Sequence, residues 1–420
     1  MKHNAVYGIG IGINGQEAAM QATQRALNAL GPAKPALALV FVSQEFAAGE
    51  VTAGIASLLG DTPLWGFTTL CPLTAEGDQP RSVVVALLTG SELNAQVHWL
   101  PDFAADSLGA ARQALQAIEQ ETILPQAVLL AADGFNGSLE PVCAALSGLR
   151  VPVHGCTAAG EPSQGKTYQI GKNQSGAGGL SVACLGGNFR LGAGLARGWQ
   201  DLGIYFRPTR ADGAWLHELD GAPAVEMYAQ FFGYPARDWA NPPLNDMIRL
   251  YPLGVEKLPA DEPEDEPAAD QAVPAAGSTA PFQTEADPAG LLIRSPLWVE
   301  PGGSLRMSAP VPEGSVAHLM AGDPSSCLRS ARDAAAKALA ALDGARPLLA
   351  VALVDAAWQL LFESNSGQIT AALDDALIEA IGYEIPLVGA YTHGQIDRPD
   401  LSGPPVLHNQ NLSLLILGAQ

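Results

Sequence analysis

The sequence predicts an α/β protein: layered sheets with flanking helices, built from three related helix–strand–helix–strand–strand units in two domains. Three observations carry this. Short apolar strands open on proline at three places, Pro35 (35–42), Pro125 (125–132) and Pro347 (347–354). Each is followed by a Pro-apolar-x-Gly step, from Pro63 to Gly66, Pro152 to Gly155 and Pro386 to Gly389, at spacings of 28, 27 and 39 residues. Each unit then closes on a similar strand, at 83–90, 180–186 and 412–418. Continuous apolar strands between amphipathic helices are the pattern of a sheet covered on both faces.

The elements follow in order. Gly8, Gly10 and Gly12 alternate with Ile9, Ile11 and Ile13. That is strand period, with a bare face for a neighbouring helix to approach. Gly10 to Gly15 also spell G-x-G-x-x-G, but a dinucleotide site needs an acid about 20 residues on. The candidate at the end of the next strand is Glu45, thirty residues past Gly15. Helices are expected over 16–30, ending at Gly31-Pro32, and over 107–120 after an Asp106 cap. A third runs over 324–343, with Asp323 at N-cap, Pro324 at N1 and Gly344 at the end. A fourth fits 369–381. Between the second and third units come strands at 191–199 and 203–209, a hairpin turn at 211–213, a helix at 223–232 and strand-like residues at 291–312. The boundary is therefore placed near residue 245, giving domains 1–244 and 245–420. Residues 258–289 hold eight acids, six prolines and no Lys or Arg. Without a hydrophobic period they form an acidic linker expected to be disordered.

Charge and composition exclude several classes of partner. A net charge of −21 repels nucleic acid and disfavours anionic membrane surfaces. Five unevenly spaced cysteines give no disulfide framework and point to a reducing compartment, so a cytoplasmic protein is expected. The start of the chain is too broken by glycine for a signal-peptide core. The longest apolar run, 348–362, contains Asp355 and is too short to span a bilayer. Seven scattered histidines show no metal-ligand spacing, and no cofactor is expected.

Two motifs suggest chemistry. Gly160-Glu161-Pro162-Ser163-Gln164-Gly165-Lys166-Thr167 matches the phosphate-loop pattern, and Asp355 could pose as the metal-binding acid at the end of an apolar strand. A phosphate loop needs a helix opening at Lys166. The glycine-rich run from Tyr168 to Gly179 cannot hold one. Cys156 lies two residues from His154, on the same face of a strand, but no third group orients the pair.

The segments after the second proline align as Gly155-Cys156-Thr157-Ala158-Ala159-Gly160-Glu161 and Gly389-Ala390-Tyr391-Thr392-His393-Gly394-Gln395. Both read G-x-x-x-x-G-[E/Q]. They resemble the loops of the FIST family (F-box and intracellular signal transduction proteins), its N-terminal and C-terminal domains respectively. Gly194 to Gly203, Leu219 to Ala224 with Tyr228, Tyr251 to Gly254, Arg294-Ser295-Pro296 and 407–411 extend the resemblance over nearly the whole chain. The first copy departs from it, with Cys71 and Pro72 where the second glycine and the acid stand.

The resemblance implies a sensory module for small molecules such as amino acids. With no room for an attached output domain, it would act as a stand-alone receptor signalling through a separate protein. The residues nominated to bind a small polar ligand are Gly155, Cys156, Thr157, Gly160 and Glu161 from one segment. Tyr391, Thr392, His393, Gly394 and Gln395 come from the other, with Asn409 beside them. Arg294 is the cation that could clamp a carboxylate, and Glu161 the anion that could pair an ammonium. Two alternatives stand beside the sensor: an enzyme using the Cys156 thiol or hydrolysing nucleotide at 160–167, and an adaptor whose acidic linker recruits a basic partner.

Overall fold

The computed structural model describes residues 4–90, 93–256, 291–398, 401 and 403–420. The acidic linker expected over 258–289 lies outside them. The chain forms two compact units: a larger one of Met1–Arg197 with Pro324–Gln420, and a smaller one of Gly198–Asp323. Each linear half drawn about residue 245 therefore contributes to both. The larger unit is discontinuous because Phe189–Arg197, which precedes the smaller unit in the chain, pairs with the last strand, Asn411–Ala419.

In the larger unit the chain runs β1 (Asn4–Gly10), α1 (Gly15–Leu30), β2 (Leu37–Ser43), α2 (Ala48–Leu59), β3 (Leu64–Thr69) and β4 (Val83–Thr89). Next come β5 (Leu93–Leu100), α3 (Ser107–Glu119), β6 (Pro125–Ala132), α4 (Glu140–Ala145), β7 (Val153–Ala158) and β8 (Leu180–Gly187). The last set is β9 (Phe189–Arg197), α5 (Pro324–Ala340), β10 (Arg346–Asp355), α6 (Gly367–Ile381), β11 (Leu387–Asp397) and β12 (Asn411–Ala419). The hydrogen-bonded orders are β1-β4-β2-β3, β5-β8-β6-β7 and β9-β12-β10-β11. Each has one parallel pair flanked by antiparallel strands. A strand that the sequence reading left outside the unit, β1, β5 or β9, opens each set.

Two sets of glycines have a steric cause. Gly66, Gly155 and Gly389 face Val40, Leu130 and Ala352 across the parallel pairs. A Cβ on any of them would lie 2.0–2.1 Å from the carbonyl oxygen of that neighbour. The glycines of β1 and β9 serve the helices instead. A Cβ on Gly10 would stand 1.8 Å from the Ala18 carbonyl oxygen of α1, and one on Gly194 would stand 2.0 Å from that of Ala334 in α5. The bare strand face and the alanines of each helix let the two backbones touch.

The inner strands are buried on both faces. Alternate residues of all three sets, such as Leu39, Phe41, Leu129, Ala131, Val351 and Leu353, form one shared apolar cluster. The opposite faces pack under helices, α1 and α2 over Ala38, Val40 and Val85, α3 and α4 over Val128, Leu130 and Val182. This double burial is why the strands read as unbroken apolar runs.

The smaller unit holds a four-stranded antiparallel sheet in the order Trp199–Phe206, Ala317–Gly322, Leu253–Glu256, Leu291–Arg294. A second sheet includes Pro208–Asp212, Trp215–Leu219, Leu305–Met307 and Pro296–Val299. Its core gathers Tyr228, Trp239, Leu253 and Leu319.

Candidate functional site

At one end of the larger unit's interior the shared apolar face turns polar. On β2 the inner positions run Leu37, Leu39, Phe41 and then Ser43, and next to β6 they run Ala127, Leu129, Ala131 and then Asp133. On β10 they run Leu349, Val351, Leu353 and then Asp355. The period of two puts Ser43, Asp133 and Asp355 on the face of the apolar cluster, at the C-terminal ends of their strands. The antiparallel closing strands bring Ser82 and Asn411 to this level and Ser181 and Ser413 one step inward, opposite Ala131 and Leu353, and the third strands add Thr69 and Thr392. All of these are at most 3 % exposed.

Buried polar groups must find partners, and most of these do. Asp133 Oδ1 accepts from the backbone N–H of Phe135 (2.9 Å) and Asn136 (2.8 Å), and from Asn136 Nδ2 (3.1 Å). Its Oδ2 accepts from Thr167 N–H (3.3 Å), Thr167 Oγ1 (3.0 Å) and Gly178 N–H (3.2 Å). One carboxylate thus ties the end of β6 to two later loops. Asp355 accepts from Ala357 N–H at 3.0 Å and Gln410 N–H at 2.7 Å. Thr69 Oγ1 donates to the Tyr391 carbonyl at 2.6 Å. Two atoms stand apart: Asn411 Oδ1 and Ser413 Oγ, each in a residue 1 % exposed, have no hydrogen-bond partner among the described residues.

The nominated segments meet here, largely as strands: 155–158 belong to β7, with 159–161 just past its end, and 389–395 belong to β11. The two strands pair antiparallel with Thr392 opposite Ala158, Gly394 opposite Thr157, Gln395 opposite Cys156 and Ile396 opposite Gly155. Their polar groups are largely spent on each other. Gln395 donates to Thr392 Oγ1 (2.8 Å) and accepts from Asn411 N–H (3.2 Å), and Asn409 Nδ2 donates to the His393 carbonyl (2.7 Å). His393 Nε2 lies 3.1 Å from the Gly160 carbonyl and 3.3 Å from its nitrogen, with the Phe135 ring at 5.0 Å. Tyr391 donates its hydroxyl to Asp78 Oδ1 at 3.1 Å, and Ser366 Oγ donates to Oδ2 at 2.7 Å. Burial, with the Asp78 carboxylate second, drives the Tyr391 hydroxyl far above its ordinary pKa.

Glu161 and Gln395 occupy different surroundings. Gln395 is fully buried, whereas Glu161 is exposed and its backbone N–H donates to Gln44 Oε1 at 2.8 Å. Arg294 belongs to the smaller unit, where it is buried and donates to the carbonyls of Ile293 and Pro310. Asp133 escaped the sequence reading; the signal was an acid directly after the apolar strand 125–132, as at Asp355.

The two tempting motifs are also placed. After Lys166 the chain enters a strand, Tyr168–Lys172, and the Lys166 ammonium sits 5.7 Å from the Tyr168 ring centroid. No helix opens at Lys166, and Thr167 is consumed by Asp133. Cys156 is fully buried, and burial pushes its thiol well above the ordinary range. His154 is paired with Asp397 instead, its Nδ1 2.8 Å from Oδ1. Burial would raise the Asp397 pKa, but the His154 hydrogen bond and charge outweigh it, followed by the His408 charge and the Arg398 N–H, and the carboxyl is held below its usual range. Among the described residues no group of three His, Cys, Asp or Glu is arranged to hold a metal ion, and no helix is long and apolar enough to cross a membrane.

Fold and site together define an α/β protein whose apolar interior ends in a buried polar layer. The sequence matches the FIST N domain over residues 36–222 and the FIST C domain over 224–398. The chain belongs to the FIST family, whose domains are associated with sensory roles in signal transduction. It is 30% identical over 103 residues to an uncharacterized protein of Methanocaldococcus jannaschii, a match spanning 24% of this chain and 19% of that one. Among solved structures, a cyanuric acid hydrolase from A. caulinodans aligns over 100% of both chains at 10% identity and TM-score 0.33. PurLQS from Thermotoga maritima aligns over 100% of this chain and 73% of its own at 11% identity and TM-score 0.25. Likeness at that level carries no argument about chemistry.

Proposed function

We propose that this chain is a sensory module that binds a small polar ligand at the polar end of the larger unit's interior and passes its state to a separate signalling protein. The observation that carries this reading is the pair Asn411 Oδ1 and Ser413 Oγ, buried at 1 % exposure and unpartnered. An amide oxygen accepts and a hydroxyl can do either, so a ligand presenting N–H donors completes both. Asp133 and Asp355 nearby in the layer, on a chain of charge −21, favour an amine or amino acid over a simple anion. Of the residues nominated from sequence, Gly160 and Glu161 form the rim where the segment passes from buried to exposed. Thr392, Gln395 and Asn409 hold the layer in shape.

The test is a thermal-shift screen of the full chain against amino acids, amines, carboxylic acids and nucleotides. An amine-bearing compound is expected to stabilise with the logarithm of its concentration above Kd, by about 2.7 kcal/mol at a hundredfold excess, with no turnover. Asn411→Leu, which removes the unpaired acceptor, abolishes that shift. If no amine or amino acid stabilises, or if Asn411→Leu responds as the wild type does, the reading fails.

A further inference from the structure

His318 in the smaller unit has an arrangement that the sensory reading does not use. It sits on Ala317–Gly322, opposite Tyr205 on one neighbouring strand and Gly254 on the other. Ala317 and Leu319 belong to the apolar cluster, so by alternation His318 faces the other side of the sheet. Its Nδ1 lies 2.9 Å from Asp201 Oδ2 and its Nε2 lies 3.2 Å from Glu256 Oε1. The Tyr205 ring meets the imidazole edge-on at 4.7 Å. Among the described residues, the titratable groups facing it are Asp201 and Tyr205 from Trp199–Phe206 and Glu256 from Leu253–Glu256; its own strand carries no other.

A neutral imidazole has one N–H, and both partners here are acceptors. Only the imidazolium satisfies both carboxylates. We propose that His318 is a proton-operated clasp that ties Trp199–Phe206 and Leu253–Glu256 to the strand between them, closed when the ring is protonated and released at Glu256 when it is not. Asp201 is the partner that stays. It is the closer one, its side chain is 21% exposed against 54% for Glu256, and its Oδ1 is fixed by the Gly203 N–H at 2.8 Å. That bond closes the register slip between Asp201 and Tyr205, where Gly203 takes φ 71°.

The charges around the ring act in the same sense as the geometry. Burial would lower the His318 pKa, yet the hydrogen bond and charge of Asp201, then those of Glu256, outweigh it and the net shift is upward. Burial would likewise raise Asp201, but its bonds to His318 and Gly203 hold it below the usual range. A raised histidine pKa contributes stability that is complete below the unfolded value of about 6.5 and fades as pH rises through the folded one. The clasp therefore opens as pH rises through the folded value, above about 6.5.

The experiment is a proton-NMR titration of the histidine ring signals in the full chain, with His318 assigned by its loss in His318→Gln. The expected midpoint lies above about 6.5 and drops by about one unit in Glu256→Gln. Hydrogen exchange, corrected for intrinsic rates, is read at the same time on the Glu256 amide, which donates to the Val316 carbonyl at 3.2 Å. Its protection is expected to fall at least tenfold between pH 6 and pH 9 in the wild type and to be independent of pH in Glu256→Gln. Should His318→Gln not fold, Glu256→Gln alone decides, because that side chain is more than half exposed. A midpoint at or below 6.5, one unmoved in Glu256→Gln, or a Glu256 amide insensitive to pH in the wild type would overturn the clasp.

Discussion

Replacing Asp133 tests whether the polar layer is held by one carboxylate. In Asp133→Ala four backbone N–H groups lose their acceptor, those of Phe135, Asn136, Thr167 and Gly178, together with the Thr167 hydroxyl and the Asn136 amide. Asp133 is 3 % exposed, so water does not replace it freely. An orphaned buried donor costs about 1–3 kcal/mol, and with two of the four only partly buried the total is about 3–5 kcal/mol. The larger unit has roughly 300 residues, so an unfolding entropy of about 2.1 cal/mol/K per residue turns about 4 kcal/mol into a midpoint lowered by about 6–7 °C. Asp133→Asn separates geometry from volume. Its oxygen keeps Phe135 and Asn136, but its NH₂ then faces the Thr167 and Gly178 donors, so about half the loss is expected. Differential scanning calorimetry of the full chain reads both. If Asp133→Asn melts with the wild type, or Asp133→Ala shifts by less than about 2 °C, the carboxylate is not the tie described.

The other predictions concern sterics, pH and reactivity. Gly155→Ala and Gly389→Ala each drive a methyl to 2.0 Å from a backbone oxygen and should cost at least about 3 kcal/mol in urea unfolding. Gly49→Ala, in α2 with open space around it, should instead stabilise by about 0.5–1 kcal/mol. Because the Asp397 pKa is depressed, its stabilisation is present above its unfolded value and lost as pH falls through the folded one. Asp397→Asn should therefore cost about 1–3 kcal/mol near pH 7 and progressively less in acid, as denaturation at a series of pH values would show. All five cysteines are buried, and burial raises the thiols of Cys71, Cys143 and Cys184 to about 12, so a thiol reagent should label the chain only on unfolding. Fast stoichiometric labelling of native Cys156 would restore the nucleophile reading. Isothermal calorimetry should detect no magnesium-dependent ATP binding, in the wild type or in Lys166→Ala.

Much of this protein is set by local chemistry and was legible without coordinates. The proline-led strands, the helix opening at Pro324, which ends at Ala340 rather than 343, and the glycine face of β1 follow from φ restriction and period, which act between residues near in sequence. Double burial is equally local in its signature, since a strand covered on both faces must be apolar at every position. What only the tertiary structure decided depends on register between distant strands. The G-x-x-x-x-G segments read as turns because two glycines bracket small polar residues. Residues 155–158 and 389–395 are strand instead, with Gly155 and Gly389 needed where a parallel neighbour's carbonyl leaves no room for a Cβ. Asp133 looked like any surface acid after a strand; only the fold brings Thr167 and Gly178 to it across more than thirty residues. The His318 contacts join residues 62 and 117 positions away in sequence. A side chain's type sets what bonds it can make, and the pairing of strands sets which bonds it is offered.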